Sequence, residues 1–367
     1  MSDLKRNLMR SRWLAVADLM KAKGYDALLL TDTADVRWLT GFTGSNGAVL
    51  AITAGPPLLA TDPRYAEQAN EECPEVELII TRDLIEQLLL RLREKGAGSL
   101  GVDPTTLTLA QFRVISAHPG MFGMSIQEVD SPLGRLRMRK DIHELEAMRQ
   151  AGHIAAESLG QLLTEIAVGQ TEIHIARTLE AIMGDHGSAD RSFPSIVAAG
   201  PNGGQPHHSP SDRPVGAGEM LTIDFGATVE GYRSDCTRTV IVAADPEEWQ
   251  VEIHAAVLEA AAAGRGVAAP GVRTRDVDSA AREVIARAEY AEFFVHGVGH
   301  GIGLDIHEPP MLGSSSKGKL HKAVPFTIEP GIYLPDRGGV RIEDTCVLND
   351  DGLEVFTEFP RELIRVG

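Results

Sequence analysis

Two apolar, strand-like runs each fold back on themselves and carry paired acid. MLTIDFGATVEGYRSDCTRTVIV (220–242) turns at Val-Glu-Gly, with Asp224 and Asp235 nearly equidistant from a centre between Val229 and Glu230. FTIEPGIYLPDRGGVRIEDTCVL (326–348) turns at Pro-Asp-Arg-Gly-Gly, with Glu329 and Glu343 equidistant from Asp336. Such positions in a hairpin are cross-strand neighbours on one face, with Cβ atoms about 5 Å apart. Bare like charges there are destabilising, and a bound cation reverses that penalty. One such pair reads as well as a solvated surface feature. Two pairs on otherwise apolar strands point to a cation site.

A third segment, VHGVGHGIGLDIHEPP (295–310), mixes histidine with glycine. Glycines at 297, 299, 301 and 303 oppose a helix, each costing about 1 kcal/mol relative to Ala. Alternating glycine reads as an extended backbone closely approached by another element. On a strand His296 and His300 share a face, and His307 follows before Glu-Pro-Pro. The glycines are not a phosphate cradle, because GVGHGIG lacks the P-loop Lys and Ser/Thr. Four carboxylates and one imidazole match two divalent cations. The set is oxygen-rich and thiolate-free, which suits Mn²⁺ first, with Co²⁺ or Zn²⁺ as alternatives. Two metals about 3.5–4 Å apart bridge a water, lower its pKa and hold the oxyanion formed when hydroxide attacks a carbonyl.

The bulk numbers agree with an enzyme of this kind. The formal net charge of −17 argues against nucleic acid or an anionic membrane surface as partner. No apolar run approaches the roughly 20 residues needed to span a bilayer. The N-terminus, MSDLKRNLMRSRWLAVADLM, lacks a continuous apolar core and a small-residue cleavage site, so it reads as a first helix and not a signal peptide. Cys73, Cys236 and Cys346 are far apart and form no C-x-x-C pair. That excludes a zinc finger or disulfide scaffold and implies a reducing, cytoplasmic setting.

The 367 residues suggest two domains. Residues 1–131 alternate helices with short strands (DALLLT, GAVLAIT, PLLAT, VELIIT, SLGVD, SIQEV), all expected to be buried, which is an α/β layer pattern. A turn-prone cluster, Ser131-Pro132-Leu133-Gly134, closes this domain. Residues 132–367 hold two helix pairs, each followed by strand-rich sequence, which implies an α+β domain of two similar halves.

These segments resemble the pita-bread metallopeptidases, specifically the aminopeptidase P and prolidase branch. The matches are SFPSIVAAGPNGGQPHHSP (192–210), TIDFGATVEGYRSDCTRT (222–239), VHGVGHGIGLDIHEPP, TIEPGIY (327–333) and GVRIEDT (339–345), in the family's order. VRWLTGFTGSNG and ATDPRY in the first domain resemble the small N-terminal domain of short bacterial members, actinobacterial cytoplasmic ones most of all. The resemblance implies a creatinase-like N-terminal domain before a pita-bread domain with pseudo-twofold halves. It implies metal ligation by Asp224, Asp235, His300, Glu329 and Glu343, with Asp235 and Glu343 bridging and Glu329 also accepting the proton of the nucleophilic water. It implies that His207 contacts the substrate or the developing oxyanion, that His296 lines the prolyl side, that His307 stabilises the tetrahedral state, and that Arg341 supports the site. His208 falls outside the pattern and reads as local structure.

The implied activity is hydrolysis of Xaa-Pro bonds in peptides with proline at the second position, by a homodimer. A Xaa-Pro bond is a tertiary amide without an N–H, and a centre that acts on the carbonyl does not need one. Aminopeptidase P cuts longer peptides and prolidase only dipeptides; the motifs do not separate them. A methionine aminopeptidase usually lacks the first domain. A metal-free creatinase-like hydrolase, or a non-catalytic relative, loses ligands that are all present here.

Overall fold

The computed structural model describes residues 3–367, and the chain parts into two units after Arg137. The first unit runs α1 (Asp3–Lys23), β1 (Ala27–Leu30), α2 (Thr33–Thr40), β2 (Gly47–Ile52), β3 (Leu58–Thr61), α3 (Ala66–Glu72), β4 (Glu77–Ile80), α4 (Leu84–Glu94), β5 (Ser99–Val102), α5 (Leu109–Ala117) and β6 (Ser125–Glu128). Its sheet has the order β4-β3-β2-β1-β5-β6. The β1–β2 and β2–β3 pairs are antiparallel and the others parallel. β1, β3 and β5 are buried along their whole length, as apolar runs in a covered sheet are. β4 and β6 form the two edges and remain partly exposed, so the expectation of buried strands fails there. Helix α2 has no counterpart in the sequence reading. It is short and starts on an aspartate cap, Asp32, whose carboxylate accepts from Asp35 N at 3.0 Å. It ends at Gly41, whose φ of 82° suits glycine.

The division falls inside a short helix, α6 (Gly134–Met138). The second unit continues with α7 (Ile142–Leu163), α8 (Glu172–Asp185), β7 (Asp190–Arg191), β8 (Ile196–Ala199), β9 (Met220–Phe225), β10 (Ala227–Val229), β11 (Tyr232–Arg233) and β12 (Cys236–Val242). A second helix pair, α9 (Glu248–Val267) and α10 (Thr274–Arg287), precedes β13 (Gly299–Gly301), β14 (Glu308–Leu312), β15 (Phe326–Ile328), β16 (Gly331–Leu334), β17 (Gly338–Arg341) and β18 (Glu343–Leu348). The main sheet has the order β14-β13-β15-β18-β12-β9-β8. Each half contributes a central antiparallel pair, β9–β12 and β15–β18, and the halves join where β12 meets β18.

Strand alternation divides this sheet into an apolar face and a polar one. Ile154, Leu159 and Leu179 of α7 and α8 pack with Val197, Ile223 and Val240. Ile253, Val257, Val277 and Ala281 of α9 and α10 pack with Phe326, Ile328 and Cys346. Each helix pair thus covers mainly its own half, the two-part arrangement expected of a pita-bread domain. The intervening residues Asp224, Thr237, Thr327, Glu343 and Thr345 belong to the opposite face. Among the described residues no helix is long and apolar enough to cross a membrane.

One buried histidine makes this packing sensitive to acid. His254 on α9 is 4% exposed, its Nε2 has no hydrogen-bond partner, and burial pushes its pKa down to about 4. A folded pKa below the unfolded value of about 6.5 means the unfolded chain takes up the proton first. The stability is therefore full above about pH 6.5 and is lost as pH falls toward 4, by up to about 3 kcal/mol. His254→Leu should flatten the fall in melting temperature between pH 7 and pH 4.5. Parallel curves for the two proteins would rule this contribution out.

Candidate metal centre

The site is assembled by register. β9 pairs with β12 so that Asp224 faces Thr237, and β12 pairs with β18 so that Thr237 faces Glu343. The β15–β18 and β16–β17 ladders share one register, with Ile328 opposite Asp344 and Gly331 opposite Arg341. Glu329 lies between them, opposite Glu343, as its equal distance from Asp336 predicts. Asp224, Thr237, Glu343 and Glu329 thus form one row across four strands. A second row lies two residues along, through Asp235, Thr345, Thr327 and His300. Asp235 N donates to Thr345 Oγ1 at 2.9 Å, and His300 N donates to Thr327 Oγ1 at 3.2 Å.

The first hairpin departs from the expected symmetry. Asp235 is diagonal to Asp224, not directly opposite. The turn is Glu230-Gly231, with φ of 46° and 76°, the two positive angles of a type I′ hairpin. Its centre lies one residue beyond the one read from the sequence. The pairing therefore moves by two, which keeps both aspartates on one face. The glycines of the histidine segment are explained by crowding. A methyl group on Gly299 would overlap Thr327 O, and one on Gly301 would overlap Pro309 O.

All nine site residues named from the sequence line one cavity of about 530 Å³: His207, Asp224, Asp235, His296, His300, His307, Glu329, Arg341 and Glu343. Asp235, His300 and Glu343 offer ligand atoms within 4.8 Å of one another. His300 Nε2 lies 3.6 Å from Asp235 and 3.5 Å from Glu329. Its Nδ1 donates to Gly301 O at 2.9 Å, which leaves the Nε2 lone pair facing the carboxylates. Burial, then the neighbouring carboxylates, push Asp235 and Glu343 well above the usual carboxylate range. Burial likewise raises Glu329. Burial lowers the pKa of His296 and His300; His307, more open to solvent, is lowered by partial burial and by the facing His300 and His207.

Arg341 is the cation in this cavity. It donates to Asp224 at 2.5 Å, to Thr237 Oγ1 at 3.1 Å, to the Tyr333 hydroxyl at 2.9 Å and to Pro206 O at 3.2 Å. Tyr333 in turn donates to His296 Nε2 at 2.8 Å, because His296 Nδ1 is committed to Gly297 O. The ion pair of Arg341 is with Asp224. Sequence reasoning misses the threonines, and it names Tyr333 with Phe193 and Tyr232 as aromatics near the motifs that read as core. The alternation in CTRTV and FTI holds the signal for Thr237 and Thr327, since each shares a strand face with a carboxylate. Of the aromatics near the motifs, Phe193 lines the cavity, whereas Tyr232 bonds Glu144 at 2.5 Å. His208 bonds the buried Glu172 at 2.8 Å, a structural role.

Three buried oxygens here have no hydrogen-bond partner: Asp224 Oδ1, Asp235 Oδ1 and Glu343 Oε1. An unsatisfied buried polar atom costs about 1–3 kcal/mol, and more when charged. Three converging on one cavity fit divalent cations, and the oxygen-plus-imidazole donor set agrees.

Known proteins share the sequence and the fold of this chain. Residues 146–350 match metallopeptidase family M24, and residues 12–139 match the creatinase/prolidase N-terminal domain. The chain is 36% identical over 343 residues to the uncharacterized peptidase YqhT of Bacillus subtilis, covering 93% of this chain and 96% of that one. Its structure is similar to that of an Xaa-Pro dipeptidase from Bacillus anthracis, with TM-score 0.93, 34% identity, and 98% and 100% of the two chains covered. It is also similar to an X-Pro aminopeptidase from Thermotoga maritima MSB8, with TM-score 0.87, 35% identity, and 95% and 100% covered.

Crowded carboxylates make opposite demands on the metal-free and metal-loaded protein. Asp235→Asn should raise the melting temperature of chelator-treated protein by removing one buried charge. It should also abolish most of the upward shift expected when Mn²⁺ is added to the unsubstituted chain, about 3 kcal/mol at a hundredfold excess over Kd. Thermal scans with EDTA and with Mn²⁺ read both. An undiminished Mn²⁺ shift in the variant would remove Asp235 from the ligand set.

Proposed function

The chain belongs to metallopeptidase family M24, and from that premise we propose that it is an Xaa-Pro aminopeptidase that uses two divalent cations, Mn²⁺ foremost. The observation that carries the reading is the set of unpartnered carboxylate oxygens facing one histidine in a single cavity. Asp224, Asp235, His300, Glu329 and Glu343 hold the cations. When bound, these supply a water of lowered pKa and a positive field for the substrate carbonyl. Glu329, a carboxylate raised by burial, accepts the proton of the attacking water. His207 and His307 contact the substrate carbonyl, and His307 stabilises the oxygen as it gains charge. His296 lines the prolyl side, fixed by Tyr333. Arg341 holds Asp224 and Tyr333 in place. Phe193, Ile196 and Ile306 give the proline ring an apolar wall.

The lining of the cavity favours peptides longer than two residues. Among the described residues, its one Lys or Arg is Arg341, which is 3% exposed and already engaged by Asp224 and Tyr333. A dipeptide would bring its own carboxylate in directly after proline, and an unpaired buried charge is costly. A longer peptide presents a neutral amide there. The second reading, a dipeptidase, is favoured by the likeness to the Bacillus anthracis Xaa-Pro dipeptidase. The proposal extends to a cytoplasmic homodimer. Three unpaired, buried cysteines support the reducing compartment.

After EDTA treatment and Mn²⁺ restoration, an Xaa-Pro-Yaa tripeptide should be cut after its first residue, as read by mass spectrometry. Cleavage of the Xaa-Pro dipeptide alone would establish the dipeptidase instead. Cleavage of neither, with metal bound, would leave the fold without this substrate class. His307→Ala should keep its metal and lose rate by about 10²–10⁴-fold. Loss of metal in that variant would reassign His307 to ligation.

A further inference from the structure

His307 has no side-chain anchor of its own. Its ring is exposed, and its one ring contact is with His300, centroids 4.4 Å apart. Among the described residues it makes no hydrogen bond. It ends an irregular segment, residues 302–307, between β13 and β14, where the ladder breaks register at His300/Gly301. Whatever fixes that segment fixes His307.

The next residue, Glu308, is 4% exposed and pairs with Lys140 at 2.6 Å; the two side chains are 5% and 2% exposed. The pair lies against the segment. A methyl group on Gly303 would come within 2.6 Å of Lys140 Nζ and 2.7 Å of both Glu308 oxygens. Glu308 Oε1 also accepts from Asp305 N at 3.2 Å. Lys140 stands on a rigid base. Its backbone N donates to Ala323 O at 2.7 Å, and it directly precedes Asp141, the capping-box residue of α7. Glu144 of that box receives the Tyr232 hydroxyl, and the neighbouring Arg233 holds Gly303 O and Leu304 O at 3.0 and 2.9 Å.

A buried ion pair is a poor stability device. Replacing both members with neutral residues of similar shape is often neutral or stabilising. What such a pair supplies is one geometry. We infer that the Lys140–Glu308 pair is the positioning element that holds His307 over the metal-ligand rows, an inference that rests on His307 serving the reaction as proposed above. Lys140 and Glu308 touch neither substrate nor metal and act through the histidine. A displacement of about 1 Å at a reacting group can cost on the order of 10²-fold in rate.

The test is a double-mutant cycle on the Mn²⁺-loaded full chain with a Xaa-Pro-Yaa tripeptide. The paired neutral variant Lys140→Met/Glu308→Gln is made with and without His307→Ala. Lys140→Met alone removes the ammonium partner of a buried carboxylate and is the variant at risk of misfolding; the paired variant avoids this. The expected result is unchanged Mn²⁺ content, KM within about 3-fold, and kcat down on the order of 10²-fold. In the His307→Ala background the pair's removal should cost nothing more, because the two act as one unit. Full kcat in the paired variant overturns the inference. So does an equal loss in both backgrounds, which would mean that the pair acts elsewhere. If His307→Ala alone keeps full rate, the role of His307 falls first and this inference with it.

Discussion

The repulsion among four carboxylates in one buried cavity is the constraint on which the second unit is built. Asp224, Asp235 and Glu343 are each less than 9% exposed, and each has an oxygen with no partner among the described residues. Proteins rarely leave ionised groups in that condition unless something external completes them. The opposite face of the same sheet shows the alternative. Asp344 follows Glu343 in sequence and, by strand alternation, points the other way. It is fully buried and receives Arg238, Arg265 and Arg361 at 2.7, 3.1 and 2.6 Å. Burial would raise its pKa, but Arg238 and Arg361 hold it below the usual range. One strand thus satisfies one carboxylate with guanidinium groups and withholds them from its neighbour. That asymmetry, more than the acidity of the segment, marks the front face as a cation site.

The rows also explain why threonine recurs. Each ligand on a central strand needs a short polar neighbour that fills the row without adding charge. Thr237, Thr327 and Thr345 are all 0% exposed. The Thr237 hydroxyl donates to Glu343 at 2.7 Å and accepts from Arg341. The Thr327 hydroxyl donates to Glu329 at 3.3 Å. β-Branched side chains suit a strand, and the hydroxyls orient carboxylates that would otherwise turn away from one another. The candidate ligands are held by backbone register and by these hydroxyls.

Much of this was legible in the sequence because strand geometry is periodic. Equal distance from a turn predicts a cross-strand pair, and for Glu329 and Glu343 the ladders on both sides carry that register. The same reasoning missed by two residues at Asp224 and Asp235. Glu230 adopts a positive φ, a conformation unusual for glutamate that composition does not announce. The face survived the error because a shift of two preserves it. What periodicity cannot show is contact between distant segments. Helix α2 is short and announced mainly by its cap. The pairing of Arg341 with Asp224 and Tyr333, and of His208 with Glu172, joins residues that the chain brings together only on folding. The runs ELII and SIQE read as buried strands from the sequence, but the sheet order places them at its partly exposed edges.

The histidines follow a different rule from the ligands. His300 is fixed by a strand, whereas His207 and His307 sit on irregular segments whose positions depend on buried polar groups elsewhere. For His207 the anchor is Glu172, which is fully buried at the start of α8. It accepts from Ala199 N, Asn202, His208 and Ser211, residues on both sides of His207. For His307 the anchor is Glu308 with Lys140. In both cases a buried carboxylate, not an apolar cluster, fixes the loop. Apolar packing tolerates small slips because dispersion is non-directional. A carboxylate with several donors has only one arrangement that satisfies them all. The candidate ligands take their precision from the sheet, whereas His207 and His307, on segments outside it, depend on this second kind of anchor.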